Sequence, residues 1–200
     1  TDTIVRHVGD IGRMVDEFSS FARMPAPVFK PENLSDLIAQ SIFLQRNANR
    51  DIAYKSIMPD DPLWFRCDGR QISQAITNLL LNAAEAIAGR NDTDLVPGII
   101  QVTLNYENDL VSIEVEDNGK GLPSQQRDRL TEPYFTTRAK GTGLGLAIVR
   151  KIMEDHKGSL QLTDSEDGGA CVRLQMTGKL VTGGEKSIDD EPIHNPDKQV

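Results

Sequence analysis

The first apolar residues of the chain recur in alternating steps of four and three. They are Ile4, Val8, Ile11, Val15, Phe18 and Ala22. This heptad spacing predicts a helix packed in a coiled coil or bundle, over residues 1–24. One helix cannot bury such a seam, so its partners either lie outside this sequence or come from dimerisation. Because the pattern is already running at Thr1, we expect the sequence to be a piece of a longer protein.

Pro25 and Pro27 end the helical pattern, and residues 25–31 are predicted to form a linker. Residues 32–177 then alternate between the helical period and the strand period. The predicted helices run from a cap at Asn33 or Ser35 to about residue 47, from Asp68 to about residue 88, over 123–130, and from Gly143 to just before Gly158. The predicted strands cover 52–58, 63–67, 99–106, 110–116, 159–163 and 170–176.

This order of elements predicts an α+β fold for residues 32–177. We expect a two-layer α/β sandwich in which the helices cover one face of a mixed or antiparallel sheet. Residues 110–116 alternate strictly between apolar and polar side chains, which is typical of a half-buried strand. Residues 178–200 are polar, rich in Gly, Asp and Pro, and predicted to be a disordered tail.

Composition narrows the classes of function. The net charge of -8 and the lack of a basic patch argue against binding to nucleic acid. No apolar run reaches the ~18 residues that a membrane span needs. Cys67 and Cys171 are far apart and form no metal-binding pattern, so we expect two reduced core residues.

A polar stripe interrupts the apolar helix that begins at Asp68. Asn78, Asn82 and Glu85 are four and three residues apart and share one face. Carboxamide oxygens on such a face suit Mg²⁺ that carries phosphate, because this ion prefers hard oxygen ligands and keeps several waters. The alternative is an ordinary solvent-facing stripe of an amphipathic helix.

Asp117 ends the alternating strand and is followed by Gly119 and Gly121. A carboxylate there can accept a hydrogen bond from an exocyclic amine such as that of adenine. Glycines beside it let the backbone approach a flat base. The alternative is a common Asp-Asn-Gly turn after a strand.

A glycine-rich segment, Gly-Thr-Gly-Leu-Gly-Leu at residues 141–146, leads into the next amphipathic helix. Backbone N–H groups at a helix N-terminus bind phosphate, and the glycines suit a movable lid. The segment is neither a Walker A loop nor a dinucleotide fingerprint, because the required Lys and the later acidic residue are missing. Arg138 and Lys140 precede it and either supply charge to phosphate or are solvated loop cations.

The order of these motifs resembles the N, G1, F and G2 boxes of sensor histidine kinases, members of the GHKL superfamily with a Bergerat ATP-binding fold. The motifs are Asn-Leu-Leu-x-Asn-Ala from residue 78, Asp-x-Gly-x-Gly from 117, Pro-Tyr-Phe-Thr-Thr from 133 and Gly-Thr-Gly-Leu-Gly-Leu from 141. The segments that begin at Asp16 and at Glu132 resemble nitrogen-regulation sensor kinases of the NtrY type.

The resemblance implies a role for each matching residue. Asn82 would bind Mg²⁺, Asn78 would assist at the phosphates, Asp117 would recognise adenine, and Phe135 would anchor the lid. The remaining residues implied to contact ATP are Gly119, Gly121, Thr136, Thr137, Gly141, Thr142, Gly143, Leu144, Gly145 and Leu146. Arg138 and Lys140 join the two asparagines as the implied catalytic residues.

The sequence also departs from the family pattern. The phosphoacceptor motif His-Glu-x-x-Asn-Pro is missing, and Val8-Gly9-Asp10 follows His7, so residues 1–24 resemble the second helix of the dimerisation hairpin. Glu85 stands where many relatives have Lys. Ala170 follows Gly169 where relatives often have Thr, which puts a side-chain contact near the adenine in doubt.

By this resemblance the chain is the catalytic domain that moves the γ-phosphoryl of ATP to a histidine on that hairpin. The implied partners are its own phosphoacceptor hairpin, a second copy in a homodimer, and a response regulator receiver domain. We expect a cytoplasmic domain of a protein anchored in the inner membrane. One alternative is a hydrolysing GHKL ATPase, but those place a Glu where Asn78 stands, and an amide is not a base. The other alternative is a nucleotide-gated interaction module.

Overall fold

The computed structural model describes residue 12 and residues 24–90, 96–136, 141–166 and 168–182. The helices in these ranges are α1 (Leu34–Ala48), α2 (Gly69–Ala88) and α3 (Gly145–Asp155), and a short 3-10 helix covers Arg127–Thr131. The strands are β1 (Lys30–Asn33), β2 (Ile52–Ile57), β3 (Trp64–Cys67), β4 (Gly98–Glu107), β5 (Leu110–Asp117), β6 (Ser159–Asp164) and β7 (Ala170–Thr177). The predicted heptad helix lies almost wholly outside the described residues, as do residues 183–200 of the predicted tail.

Five strands form one mixed sheet in the order β2-β4-β5-β7-β6. β2 runs parallel to β4, and the other neighbours are antiparallel. β1 and β3 form a separate antiparallel pair. The two predicted strands on either side of the turn at residues 59–62 therefore enter different sheets.

Alternation along the strands places the core on one side of the sheet. In β4 and β5, every second residue is buried and the residues between them are polar or only partly covered. The buried set comprises Ile100, Val102, Leu104, Val111, Ile113 and Val115. It packs with buried residues of the helices, including Ile72, Ile76, Leu79, Leu80, Ile148 and Ile152. The predicted α+β sandwich is confirmed.

Both ends of α2 are fixed as the sequence predicts. The Asp68 carboxylate accepts from the Gln71 N–H at 3.1 Å as the N-cap, and the Gly89 N–H donates to the Glu85 carbonyl at 3.0 Å. The second oxygen of Asp68 accepts from the Val28 N–H at 2.9 Å. The cap of α2 therefore also holds the described part of the predicted linker.

His156, at the end of α3, joins the same cluster. Its Nε2 accepts from the Asp68 N–H at 3.0 Å, and Nδ1 lies 2.8 Å from the Ile152 carbonyl. These partners define a neutral ring with its proton on Nδ1, because one nitrogen accepts and the other donates. The ring of Phe29 packs on it at 5.1 Å between centroids. No sequence motif indicated this link between α3, α2 and the linker.

Three local predictions need correction or extension. The helix expected over residues 123–130 is a 3-10 helix that starts only at Arg127, because Gln126 has a left-handed backbone with φ of 62°. Residues 30–31, expected to belong to a linker, are part of β1. The first residues of the predicted disordered tail are bonded to the domain. The N–H groups of Gly178 and Val181 donate to the carbonyls of Asp109 and Trp64, respectively.

Of the two cysteines expected to be reduced core residues, only Cys67 is fully buried. Burial raises the pKa of Cys67 to about 12, with the Glu32 and Asp68 charges adding to the rise. Its thiol is therefore a neutral core group. Cys171 is half-buried. Within the described ranges, no helix combines the length and the apolarity needed to cross a membrane.

Replacing Asp68 by Ala removes the α2 cap and the anchor of Val28 together. We expect Asp68→Ala to lower the free energy of unfolding by about 1–2 kcal/mol, the usual cost of an N-cap. Asp68→Asn keeps an acceptor oxygen in a side chain of the same shape, so we expect its free energy of unfolding to fall clearly less than that of Asp68→Ala. Urea denaturation followed by circular dichroism measures both, and equal losses would contradict the capping role.

The charge of Asp68 adds a pH dependence. Burial opposes its ionisation, but the Val28 and Gln71 N–H bonds and Arg70 outweigh it, so the pKa of Asp68 is lowered. A lowered pKa in the folded state stabilises the protein above the unfolded value, and the contribution is lost as pH falls through the folded pKa. The stability difference between the unaltered chain and Asp68→Asn should therefore be constant near neutral pH and shrink below about pH 4. A difference that grows on acidification would be inconsistent with this assignment.

Candidate functional site

Asp117 ends β5 with its carboxylate buried beside the helical layer, where only 6 % of the residue is exposed. Its Oδ1 accepts from the Gly119 N–H at 2.8 Å and from the Ala170 N–H at 3.4 Å. Two backbone donors from different parts of the chain therefore set the orientation of the carboxylate. The predicted Asp-Asn-Gly turn is present, and its Asp is also buried against β7.

Gly119 lies directly on α2. A Cβ there would be 2.6 Å from the carbonyl carbon of Ala86, and the neighbouring Lys120 N–H donates to the Ala86 carbonyl at 3.1 Å. No side chain fits at such a separation, because real Cβ atoms essentially never approach so closely. The glycine therefore allows the Asp117 turn to reach the last turns of the helix that carries the two asparagines.

The turn between β6 and β7 closes the other side of Asp117. A Cβ on Gly169 would overlap the Asp117 carbonyl oxygen, and a Cβ on Gly121, whose φ is +74°, would be 3.0 Å from the Gly168 carbonyl oxygen. Ala170 stands where Thr is common in the resembling family. Here the contact to Asp117 comes from the backbone N–H of Ala170, so it does not depend on a hydroxyl side chain.

Asn78 and Asn82 meet the first residue of α3. A Cβ built on Gly145 would be 3.8 Å from the Oδ1 atoms of both asparagines and 3.7 Å from Asn82 Nδ2. Both asparagines are half-buried, whereas Glu85 of the same predicted stripe is exposed. The N–H groups of the first helical turn of α3, which favour anions, therefore begin beside two carboxamides.

The glycine-rich segment is anchored to the Tyr134–Phe135 backbone. The Tyr134 N–H donates to the Gly143 carbonyl at 3.1 Å, and a Cβ on Gly143 would be 2.7 Å from the Tyr134 carbonyl carbon. Both residues have left-handed backbones, with φ of 65° at Tyr134 and +71° at Gly143. The two motifs that were predicted to form one lid are thus joined at their bases.

Arg129 supports Phe135 from the 3-10 helix. Its guanidinium lies 4.4 Å from the centre of the Phe135 ring, and its Nε donates to Glu132 at 3.1 Å. No motif in the sequence singled out this arginine. Arg129 and Phe135 are six residues apart, whereas side chains on one helix face are neighbours at three or four residues, so periodicity does not predict this contact.

The other predicted site residues fall into two groups. Thr137, Arg138 and Lys140 lie outside the described residues. Of the rest, Leu144 is buried in the core with its N–H 3.3 Å from the Thr142 hydroxyl. Gly141 and Leu146 are half-buried, and Thr136 is exposed.

One helix connects the separate parts of the site. Asn78 and Asn82 face Gly145, and Ala86, one turn further along α2, contacts Gly119 beside Asp117. Eight residues of helix separate Asn78 from Ala86, a rise of about 12 Å. The carboxylate and the amides therefore lie along one elongated site, a suitable shape for an extended nucleotide.

The side chains of the site suit a divalent cation that needs few protein ligands. In the ranges that the structure covers, no group of three or more His, Cys, Asp and Glu side chains is placed to hold a metal. Neutral carboxamide oxygens at Asn78 and Asn82 instead suit Mg²⁺ that takes most of its ligands from water and phosphate. The site therefore fits a metal that arrives with an anionic ligand.

Comparisons with known proteins agree with this geometry. The model of the family described as histidine kinase-, DNA gyrase B- and HSP90-like ATPase matches residues 67–179. The nitrogen regulation protein NtrY of Azorhizobium caulinodans is 51% identical over 177 residues, which are 88% of this chain and 23% of that protein. A putative NtrY-like sensor histidine kinase of Rickettsia felis is 41% identical over 173 residues, 86% of this chain and 28% of that protein. The chain thus spans about a quarter of the length of these relatives.

Solved structures with the same fold include catalytic domains. The catalytic domain of histidine kinase ThkA has a TM-score of 0.66 and 31% identity, covering 75% of this chain and 95% of that domain. The mycobacterial sensor histidine kinase MprB has a TM-score of 0.65 and 26% identity, covering 77% of this chain and 100% of that one. Both its sequence and its fold match this family, so the chain belongs to the histidine kinase-, DNA gyrase B- and HSP90-like ATPases.

Proposed function

We propose that this chain is the ATP-binding catalytic domain of a two-component sensor histidine kinase. It binds Mg²⁺·ATP and transfers the γ-phosphoryl to a histidine on a dimerisation hairpin, for relay to a response regulator. The observation that carries the proposal is the arrangement along α2, where Ala86 contacts the Asp117 turn while Asn78 and Asn82 face Gly145.

The base end of the site is Asp117. Its carboxylate is buried and oriented by two backbone N–H groups, so an oxygen can accept from the exocyclic amine of adenine. Guanine presents a carbonyl oxygen at the corresponding ring position, and a carboxylate would repel it. Gly119 and Gly121 contribute indirectly, because without Cβ atoms they let the Asp117 turn lie against α2 and the β6–β7 turn.

The phosphate end lies between α2 and α3. The N–H groups of the first turn of α3, which begins at Gly145, bind phosphate oxygens at this helix N-terminus. Asn82, with Asn78 beside it, would hold Mg²⁺, which offsets the charge of the triphosphate when bound. Thr136, Thr137, Arg138 and Lys140 belong to the proposed lid, where the two cations add positive charge.

Transfer to a separate imidazole is favoured over hydrolysis because the chain has no base at the expected place. Position 78 is an amide, which cannot accept a proton from water at neutral pH. His156 is also excluded as the acceptor, because it is buried and both ring nitrogens have partners. His7 lacks the phosphoacceptor motif. We therefore assign the acceptor to the hairpin, which we place in a homodimer on the cytoplasmic side of an inner-membrane protein.

The direct test supplies the hairpin separately. The chain is incubated with ATP labelled in the γ-phosphate, with and without a polypeptide that carries the His-Glu-x-x-Asn-Pro hairpin of the parent protein. Label should appear on the hairpin and not on the chain. Steady ATP hydrolysis without the hairpin would instead favour a clamp ATPase. Tight ATP binding with no label on the hairpin would favour an interaction module.

Asp117→Asn tests recognition of the base. The amide can still accept from the Gly119 N–H, but it loses the charge that the adenine amine prefers. We expect ATP affinity to fall about tenfold or more, because hydrogen bonds to charged groups contribute about 1.5–3 kcal/mol. Isothermal titration calorimetry measures it, with GTP as the comparison ligand. Unchanged ATP affinity would remove Asp117 from the site.

Gly145→Ala tests the phosphate end without disturbing the fold. The new methyl would be 3.7–3.8 Å from the asparagine amides, an ordinary contact, so the melting temperature should hold. The methyl would, however, fill space between the amides and the start of α3, and ATP binding should weaken about tenfold, the loss of roughly one hydrogen bond.

Gly143→Ala is the contrasting variant. It requires a left-handed backbone at Ala and places the methyl 2.7 Å from the Tyr134 carbonyl carbon, so the melting temperature of this variant should fall. Full ATP affinity in a stable Gly145→Ala protein would show that phosphate binds elsewhere.

A further inference from the structure

Two segments form the wall behind Asp117. One is residues 121–127, which lead from the Asp117 turn to the 3-10 helix. The other is the turn between β6 and β7. They are in contact at Gly121, where a Cβ would be 3.0 Å from the Gly168 carbonyl oxygen.

Arg127 joins the two segments a second time. Its Nη1 and Nη2 donate to the two carboxylate oxygens of Asp164 at 2.9 and 2.8 Å. Its Nε donates to the Pro123 carbonyl at 2.9 Å, within its own segment. This bidentate pairing with a third bond fixes the plane of the guanidinium, so it defines position as well as charge.

Asp164 is directly connected to the base end of the proposed site. It pairs across the hairpin with Ala170, whose N–H donates to Asp117 Oδ1. Ser165, the next residue, donates its hydroxyl to Glu116 at 2.6 Å, and Glu116 precedes Asp117. A shift of Asp164 would therefore move a backbone donor of the Asp117 carboxylate.

We propose that Arg127 and Asp164 are positioning residues that clamp residues 121–127 to the β6–β7 turn and so set the geometry of the adenine-binding wall. The proposal rests on the proposed function, since it assumes that Asp117 receives the base. Neither residue touches the nucleotide in this role. Both act through the Ala170 N–H and the backbone of Gly121.

The exposure of the pair separates a positioning role from a stabilising one. The side chains of Arg127 and Asp164 are 40% and 59% exposed, and pairs with that much contact with water contribute little to stability. Loss of the clamp should therefore leave the melting temperature almost unchanged while altering how the base is held. A pair that mattered only for folding would show the reverse.

Nucleotide affinity measured by calorimetry on the full chain tests the clamp. We expect Arg127→Ala to weaken ATP and ADP by the same factor, about tenfold, because one misplaced hydrogen bond at the base is common to both ligands. Arg127→Lys should bind as weakly, because an ammonium cannot make the bidentate contact. The double variant Arg127→Asp with Asp164→Arg should recover most of the affinity.

Arg173→Ala provides the matched control. Arg173 of β7 forms an ion pair with Glu114 of β5, with 2.7 Å between Nε and the carboxylate oxygen. The Arg173 side chain is 39% exposed, close to the value for Arg127. Its loss should leave nucleotide affinity unchanged. Amide hydrogen exchange adds a second readout, because the Ala170 and Gly119 N–H groups should exchange faster in Arg127→Ala and not in Arg173→Ala.

Each outcome bears on the proposal. The clamp would be overturned, and the proposed function left intact, if Arg127→Ala bound ATP as tightly as the unaltered chain. The same would follow if the double variant did not recover nucleotide affinity. A large fall in melting temperature that accounts for the lost binding would also overturn the clamp. No binding of ATP or ADP by the unaltered chain would overturn the proposed function and the clamp together.

Discussion

Close backbone contact between α2 and the Asp117 turn is the constraint on which the site depends. The turn reaches the helix because Gly119 has no Cβ, and the Lys120 N–H then bonds to the Ala86 carbonyl. The same helix presents Asn78 and Asn82 to the start of α3. The carboxylate proposed to bind the base and the amides proposed to lie at the phosphates are thereby held along one helix.

The fixed ends of α2 extend this constraint to the rest of the domain. Asp68 caps the helix and holds Val28, while His156 at the end of α3 accepts from the Asp68 N–H. The linker, α2 and α3 therefore meet at one buried cluster. A movement of the linker has a direct path to the helix that carries both asparagines. The proposed kinase activity would place the acceptor hairpin at the far end of that linker.

The sequence predicted features that depend on local chemistry. Asp68 marked the start of α2, strand alternation marked the buried face, and glycine spacing marked the segments that meet around α2. What it missed depends on contacts between distant residues. β1 exists because it pairs with β3. His156 bonds to Asp68, 88 positions away, and Arg127 bonds to Asp164, 37 positions away. The start of the short helix was predicted four residues too early, because no glycine marks the left-handed backbone of Gln126 that precedes it.

The central claim is that one nucleotide occupies both ends of the site along α2. Titrating the isotopically labelled chain with Mg²⁺·ATP, followed by nuclear magnetic resonance, tests it most directly. We expect the resonances of the backbone amides of Gly119, Ala170 and Gly145 and of the side-chain amide of Asn82 to shift together, with a single dissociation constant. Shifts at only one end, or different dissociation constants at the two ends, would contradict it.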